Sequence, residues 1–279
     1  MKTILAPFHD DDVAEQALAA ASAVARKFGS FVEGLFVRES PQVIVSDLVP
    51  SAYIDEFDDR WRQEAGHARQ RFEAGMAKLG VPFSEQTPAS GGPSCSWREA
   101  QGLESEVVGD YGRLFDLIVI ARSGARTALD WNATCEGALF ESGRPVLVAG
   151  RRPVETIGER IVIGWNGSTE TARTIALAMP ILKQAKAVTV LTIEGGTVGG
   201  PSGEQVRAHL MRHGLNVSAR TAPAKGRSVG EAILAEADAL GADLVVKGAY
   251  TQHRLRQMIF GGATRHILSA AEGPVLFAH

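Results

Sequence analysis

The first half of this 279-residue chain is repeated, in weakened form, in its second half. Three segments match in the same order: Ile4-Leu-Ala-Pro-Phe-His with Ile161-Val-Ile-Gly-Trp-Asn, Asp116-Leu-Ile-Val-Ile-Ala-Arg with Asp243-Leu-Val-Val-Lys-Gly-Ala, and Pro145-Val-Leu-Val-Ala with Pro274-Val-Leu-Phe-Ala. The offsets are 157 (161 − 4), 127 (243 − 116) and 129 (274 − 145) residues. Repeats of about 20–50 residues indicate a solenoid, whereas this longer period indicates two whole domains.

The extra length of the first half lies between its second and third strands. Phe31–Val37 matches Val188–Glu194 at an offset of 157, but Gly80 matches Gly214 at an offset of 134, a difference of 23 residues (157 − 134). The inserted segment predicts one long amphipathic helix over Ser51–Leu79, which we expect to cover a domain face or to form a homodimer contact. Its candidate apolar face consists of Tyr53, Phe57, Trp61 and Phe72.

Each half reads as alternating strands and helices. Continuously apolar strands between helical segments indicate a parallel sheet covered on both faces. We therefore predict an α/β fold of two tandem, doubly wound, five-stranded parallel-sheet domains, over residues 1–150 and 158–279. Capping boxes are expected at Asp12-x-x-Glu15 and Ser228-x-x-Glu231. The second-half strands are predicted at Ile161–Gly164, Val188–Ile193, Leu215–Ala219, Leu244–Val246 and Val275–Ala278.

The two domains are expected to pair within the chain around a pseudo-twofold axis. The last strand of each half, Val146–Ala149 and Val275–Ala278, is a short apolar run after a Gly/Pro turn. Exposed strand edges favour pairing, so these two strands are the predicted contact. The linker Arg151–Gly158 contains Pro153 and is too short to be a free tether.

Composition excludes several classes of function. The formal net charge is −3, which implies no nucleic-acid partner. The sequence has no run of 18 apolar residues and no signal-peptide pattern, so we expect no membrane span and a cytoplasmic location. The two Cys residues lie in no CxxC motif, and no metal site is predicted.

The most informative motif runs from Asp243 to Leu268. An apolar strand ends at Gly248, a basic loop follows, and the glycine pair Gly261-Gly262 precedes a helical pattern that starts at Thr264. Glycine permits close backbone approach, and a helix N-terminus offers N–H donors and a favourable dipole to an anion. The motif therefore predicts a nucleotide phosphate site near residues 248–265.

The same stretch resembles the signature of the tandem universal stress proteins. That signature is glycine, two residues, glycine, nine residues, glycine, then Ser or Thr. Gly248 and Gly261 fit the first and third glycines, Thr251 stands at the second, and Gly262 replaces the Ser or Thr. The resemblance covers both halves and implies a fold similar to the adenine nucleotide alpha hydrolases. In that family the first strand usually ends in an aspartate that contacts the nucleotide.

This resemblance implies an adenine-nucleotide site in the second half, for ATP with Mg²⁺ or a related nucleotide. Asn166 stands where the aspartate would be, as a ribose or adenine contact or simply as a turn residue before Gly167. The basic loop residues His253, Arg254 and Arg256 are either phosphate partners or a solvated surface. The predicted contact residues are Asn166, Ile193, Gly248, Thr251, Gly261, Gly262, Ala263 and Thr264.

The first half keeps a degenerate copy of the motif. His9 replaces the aspartate, and Ala121 and Thr134 replace two glycines of the signature. The carboxylates of 10–12 would repel a polyphosphate, so we expect a packing or regulatory domain. Cys135, at a predicted helix start, is either a thiol of lowered pKa or a buried thiol.

The sequence thus predicts a non-catalytic, nucleotide-responsive module of a stress response, with no catalytic residue. A nucleotide-free interaction scaffold with an apolar small-ligand pocket is the alternative. A slow ATPase ranks third, because the sequence offers no identifiable base to position a hydrolytic water. The glycine-rich segment Ser90–Ser94 is expected to be a surface loop after the third strand.

Overall fold

The structure is a computed structural model that describes residues 1–38, 51–84, 91–122, 131–151, 153–249 and 262–279, with the backbone alone for 51–58. The chain forms two compact units, Met1–Ser142 and Gly143–His279. The strand that covers Val146–Val148 falls in the second unit. The sequence-based domain limits, 1–150 and 158–279, remain predictions.

The first unit alternates strands and helices. Its strands lie side by side in the order β3-β2-β1-β4, and β1 pairs in parallel with both β2 and β4. The elements are β1 (Thr3–Pro7), α1 (Ala14–Phe28), β2 (Phe31–Arg38), α2 (Ser51–Lys78), β3 (Ser94–Gln101), α3 (Glu104–Gly112), β4 (Leu117–Ile120) and α4 (Trp131–Glu136), which continues as a π-helical segment over Gly137–Glu141.

Helix α2 occupies the place of the expected long helix and packs on its own unit. The Phe72 ring is fully buried and meets the rings of Phe8 and Trp97 at centroid distances of 5.4 Å each. Trp61 packs edge-on against Phe36 at 5.8 Å. These contacts cover the sheet face near β2 and β3. The side chains of Tyr53 and Phe57 lie outside the described residues.

The second unit contains the remaining strands in the order β5-β10-β9-β6-β7-β8. Its neighbouring strands pair in parallel, apart from β5 and β10, which are antiparallel. The elements are β5 (Val146–Val148), β6 (Arg160–Trp165), α5 (Thr169–Leu182), β7 (Ala187–Ile193), α6 (Gly203–Arg212), β8 (Val217–Ala222), α7 (Val229–Ala239), β9 (Leu244–Gly248), α8 (Gly262–Ala270) and β10 (Val275–Ala278).

The α/β fold class with a mostly parallel sheet is therefore confirmed. The predicted contact between the two final strands is also confirmed, because Val275 pairs with Val148 and Phe277 pairs with Val146. Both strands are fully buried, as their continuously apolar sequences predict.

One of the two predicted capping boxes is wrong. Ser228 and Glu231 exchange side-chain and backbone hydrogen bonds at the start of α7, as expected. Helix α1 instead has Val13 at its N-cap, with no side-chain cap. The Asp11 carboxylate accepts from the Val13 N–H at 3.1 Å, so an aspartate one position earlier organises this turn.

The third strand of the first half begins later than its match to Gly214 indicates. After Gly80 the chain makes only an isolated parallel bridge between Phe83 and Cys95, and the strand β3 itself starts at Ser94. Of the expected loop, Gly91–Pro93 precede this strand rather than following it, Ser94 is its first residue, and Ser90 lies outside the described residues. The second half of β3, residues Arg98–Gln101, is mostly polar and exposed. This strand therefore lacks a continuous apolar run.

Candidate functional site

The second unit has its topological switch point between β6 and β9. These strands are neighbours, with Ile163 opposite Val246, while the chain continues from β6 to β7 on one side and from β9 to β10 on the other. Loops diverge at such a point, and open α/β sheets bind ligands there, beyond the carboxyl ends of the strands. Three predicted contact residues lie at this edge: Asn166, Ile193 and Gly248.

Asn166 organises the turn between β6 and α5. Its side chain is 7% exposed, and its Oδ1 accepts from the Thr171 hydroxyl at 2.8 Å and from the Ser168 N–H at 3.3 Å. Ser168 caps α5 by accepting from the Thr171 N–H. Gly167 in this turn has φ +87°, a conformation that favours glycine. The contacts of the Asn166 oxygen thus match the turn-residue interpretation.

Gly248 is required by packing at the end of β9. A Cβ on this residue would lie 2.5 Å from the backbone nitrogen of Thr171, so the first turn of α5 rests directly on the glycine. Ile193, the last residue of β7, is buried. Of the predicted contact residues, Thr251 and Gly261 lie outside the described residues.

Helix α8 brings the remaining predicted residues to its N-terminus. Gly262 is exposed and a Cβ there would meet nothing within 4 Å, whereas Thr264 is buried. Ala263 packs on α7, where a Cβ on Gly230 would lie 2.8 Å from the Ala263 carbonyl oxygen. The exposed Gly262 is therefore the described part of the glycine pair with space for a ligand beside its backbone.

Lys247 is a site residue that the sequence analysis missed. It is 3% exposed at the carboxyl end of β9, and its Nζ donates to the Gly248 carbonyl at 3.1 Å. Burial lowers the pKa of Lys247 to about 8, and the Glu170 carboxylate acts in the opposite direction. A lysine directly after the apolar run Leu244–Val246 was the available signal, because charged residues are rarely buried in a strand core.

The first unit has a corresponding switch point between β1 and β4. A small cavity of about 50 Å³ lies there and is lined by His9, Asp11, Glu104, Arg122 and Thr134, among others. Pockets for drug-sized ligands measure roughly 300–1,000 Å³. The described cavity is smaller than such pockets.

A buried carboxylate connects the polar groups of this cavity. Glu104 is 5% exposed and lies 2.6 Å from the Nε2 of His9, while its other oxygen accepts from the Thr134 hydroxyl at 3.0 Å. Burial raises the pKa of Asp11, against a smaller lowering effect of its hydrogen bond with Val13. The arrangement binds α3 and α4 to the end of β1.

Two details bear on the interpretation of the first unit. Arg71 pairs with the Asp10 carboxylate and donates to the Asp11 carbonyl, so the acidic turn is partly neutralised. Burial raises the pKa of the Cys135 thiol to about 12, so it is a buried thiol rather than a reactive one.

A separate cleft lies in the second unit, on the α6 side of its sheet. It has a volume of about 360 Å³, and its lining includes Trp165, Thr192, Ser202, Arg220 and Thr221. The Trp165 indole donates to the Pro201 carbonyl at 2.8 Å. The cleft contains none of the predicted contact residues.

Among the described residues, no group of three or more His, Cys, Asp or Glu side chains could hold a metal ion. None of the helices in this part of the chain combines the length and apolarity that a membrane crossing requires.

Residues 159–279 match the model of the Universal stress protein family. No curated protein gives a significant match. A universal stress protein from Archaeoglobus fulgidus DSM 4304 is similar in structure, with a TM-score of 0.71 at 15% identity over 99% of this chain and 95% of that chain. A functionally unknown protein from Pseudomonas aeruginosa PAO1 has a TM-score of 0.57 at 18% identity over 100% of this chain and 92% of that chain. At such identities the similarity shows a shared fold.

Proposed function

We propose that this chain is a tandem universal stress protein whose second unit binds an adenine nucleotide, with Mg-ATP as the first ligand to test. It would act as a non-catalytic, nucleotide-responsive module in a stress response. The family-model match over 159–279 supports this for the second unit. The internal repeat between Ile4 and Ile161 extends the proposal to the first unit.

One observation carries the nucleotide proposal. Asn166, Ile193 and Gly248 end or follow three strands of one parallel sheet, so the predicted contacts converge on a single edge. The N-terminus of α8, which begins at Gly262, follows from the last of these strands. Backbone N–H groups and the helix dipole at such a position favour phosphate.

The direct test is native mass spectrometry of the purified protein for a co-purifying nucleotide, followed by calorimetric titration with Mg-ATP. The proposal expects a mass increment or a saturable heat. Absence of both, together with no thermal shift at millimolar nucleotide, would reject nucleotide binding.

A nucleotide-free interaction scaffold is the second candidate. It is favoured by the packing roles of two predicted contact residues: the Asn166 oxygen holds its own turn, and Gly248 accommodates the first turn of α5. Under this alternative both residues serve the fold alone, and nucleotides leave the melting temperature unchanged.

The proposal includes two further points for separate tests. Homodimerisation through the α2 side of the first unit is measured by light scattering of the wild type and a Trp61→Glu variant. A cytoplasmic location, in which Cys95 and Cys135 stay reduced, is tested by cell fractionation.

A further inference from the structure

Lys247 places a buried cation in the core of the second unit. Its Nζ makes one hydrogen bond within the described residues, to the neighbouring Gly248 carbonyl. A buried ammonium that lacks a close carboxylate is costly, because the lost hydration is not replaced. The described elements around Lys247 carry these ionisable groups: Arg160 on β6, Glu170 and Arg173 on α5, Glu231, Glu236 and Asp238 on α7, and His279 after β10. Glu236 already pairs with Arg220.

The neighbouring strand is shaped to admit this side chain. Gly164 lies on β6, and a Cβ there would sit 3.0 Å from the Cδ of Lys247 and 3.2 Å from the Cδ1 of Ile233. The absent side chain at Gly164 leaves the space that the lysine stem fills. The matching position in the first half is Ile120, which is buried and apolar. The equivalent strand position in the first unit thus carries no cation.

The ammonium lies at the switch point itself. Gly248, whose carbonyl it contacts, is the last residue of β9, and the first turn of α5 packs on that glycine. A group at this edge faces the place where an open α/β sheet takes its ligand. A ligand phosphate would supply the missing counter-charge in a charge-assisted hydrogen bond.

We propose that Lys247 is the anion-recognition residue of the second unit and pairs with a phosphate group of the bound ligand. The site is that of the proposed function, and the inference adds which side chain selects the charged ligand. The lowered pKa of Lys247 supports it, because the cost of burial outweighs the raising effect of the Glu170 carboxylate and leaves the ammonium incompletely compensated. Phosphate binding near pH 8 should therefore take up a proton.

The experiment compares wild type with Lys247→Met and Lys247→Arg, and uses Ile120→Met as the matched control in the first unit. The probes are Mg-ATP, adenosine and inorganic pyrophosphate. We expect Lys247→Met to weaken the affinity for Mg-ATP and for pyrophosphate by at least about tenfold, while the affinity for adenosine is unchanged. Lys247→Arg should retain part of the phosphate affinity, and Ile120→Met should match wild type. Melting curves show whether each variant is folded.

Calorimetry in two buffers of different ionisation enthalpy, at about pH 8.5, counts the protons taken up. Wild type should take up a fraction of a proton with pyrophosphate, whereas Lys247→Met should take up none. Equal phosphate affinities in wild type and Lys247→Met would overturn the inference and leave nucleotide binding standing. If pyrophosphate binds and Mg-ATP does not, the anion-recognition role of Lys247 stands and the nucleotide-binding proposal is rejected. No binding of either ligand to wild type would reject both.

Discussion

Gly164 and Lys247 are adjacent on β6 and β9, and the glycine has no side chain where the lysine stem passes. A Cβ at 164 would approach the Cδ of Lys247 to 3.0 Å. We expect Gly164→Val to lower the free energy of unfolding by about 1–3 kcal/mol through overpacking. The cost should fall in a Lys247→Ala background, where the stem is gone. Urea unfolding of the double-mutant cycle measures this coupling, and an additive result would contradict the contact.

The pKa of Lys247 predicts a specific pH dependence of stability. Its folded-state pKa is about 8, against an ordinary value of 10.5. Between these values the unfolded chain binds more protons, so the free energy of unfolding should rise as pH increases from 8 to 10.5, and the full penalty applies below pH 8. The difference, 10.5 − 8 = 2.5 units, corresponds to a penalty on the order of 3 kcal/mol.

Lys247→Met should therefore be more stable than wild type at neutral pH. Its free energy of unfolding should not rise between pH 8 and 10.5 as that of wild type does. Urea unfolding across the window checks both points. Parallel pH profiles for the two proteins would show that Lys247 titrates normally. Glu170→Gln serves as a comparison, because its charge acts on Lys247 in the opposite direction and its loss should lower the lysine pKa further.

Gly262→Val tests the phosphate cradle without disturbing the fold. A Cβ at 262 meets no atom within 4 Å, so the variant should melt like wild type, yet the added side chain would stand where a phosphate approaches the start of α8. Mg-ATP affinity should drop by at least about tenfold, since each lost charge-assisted hydrogen bond is worth roughly 1.5–3 kcal/mol. Gly273→Val is the control, because residue 273 is equally open and precedes β10, at the strand end opposite to the site. Unchanged affinity in Gly262→Val would place the phosphates elsewhere.

The buried Glu104 should contribute strongly to the free energy of unfolding of the first unit. Thr134→Val removes the hydroxyl that donates to it and should cost about 1–2 kcal/mol. Glu104→Ala also removes the partner of His9 and should cost more. The cycle of these two changes should show a coupling of about 0.5–3 kcal/mol, as expected for contacting groups. Chemical denaturation gives these values, and a coupling of zero would argue that the hydrogen bond contributes nothing.

Phe72 anchors the long helix to its sheet. The ring is fully buried against Phe8 and Trp97, so Phe72→Ala should lower the free energy of unfolding by about 3–5 kcal/mol. The exposed Arg60 on the same helix offers a control, and Arg60→Ala should change stability little. A near-wild-type melting temperature for Phe72→Ala would mean that α2 is dispensable for the first unit.

The strands that are apolar throughout could be predicted from the sequence, because burial on both sheet faces leaves an unambiguous pattern. β4 and β10 are such strands. β3 could not be predicted in this way, since its second half is exposed and its first residues, Ser-Cys-Ser-Trp-Arg, alternate between polar and apolar. The cap at Val13 was missed for a related reason: two neighbouring aspartates compete for one turn, and only coordinates show that Asp11 makes the hydrogen bond.

The sequence predicts where the candidate site lies but not the polar contacts within it. The glycine signature and the strand ends point to one edge of the second unit, and the site there stays a prediction. Lys247 was not singled out, because its burial depends on Gly164, which is 83 residues away (247 − 164). The His9–Glu104 contact joins residues 95 positions apart and has no local pattern at all.

The pairing of β5 with β10 determines where this chain can be divided. A cut within Arg151–Gly158 would remove Val146–Val148 from the polypeptide that contains Val275–Ala278, and leave the last strand with an unsatisfied edge. Two fragments produced by proteolysis there should recombine when mixed, since each carries one side of the antiparallel ladder. A fragment that starts at Gly143 keeps both sides and is the better starting point for producing the second unit alone.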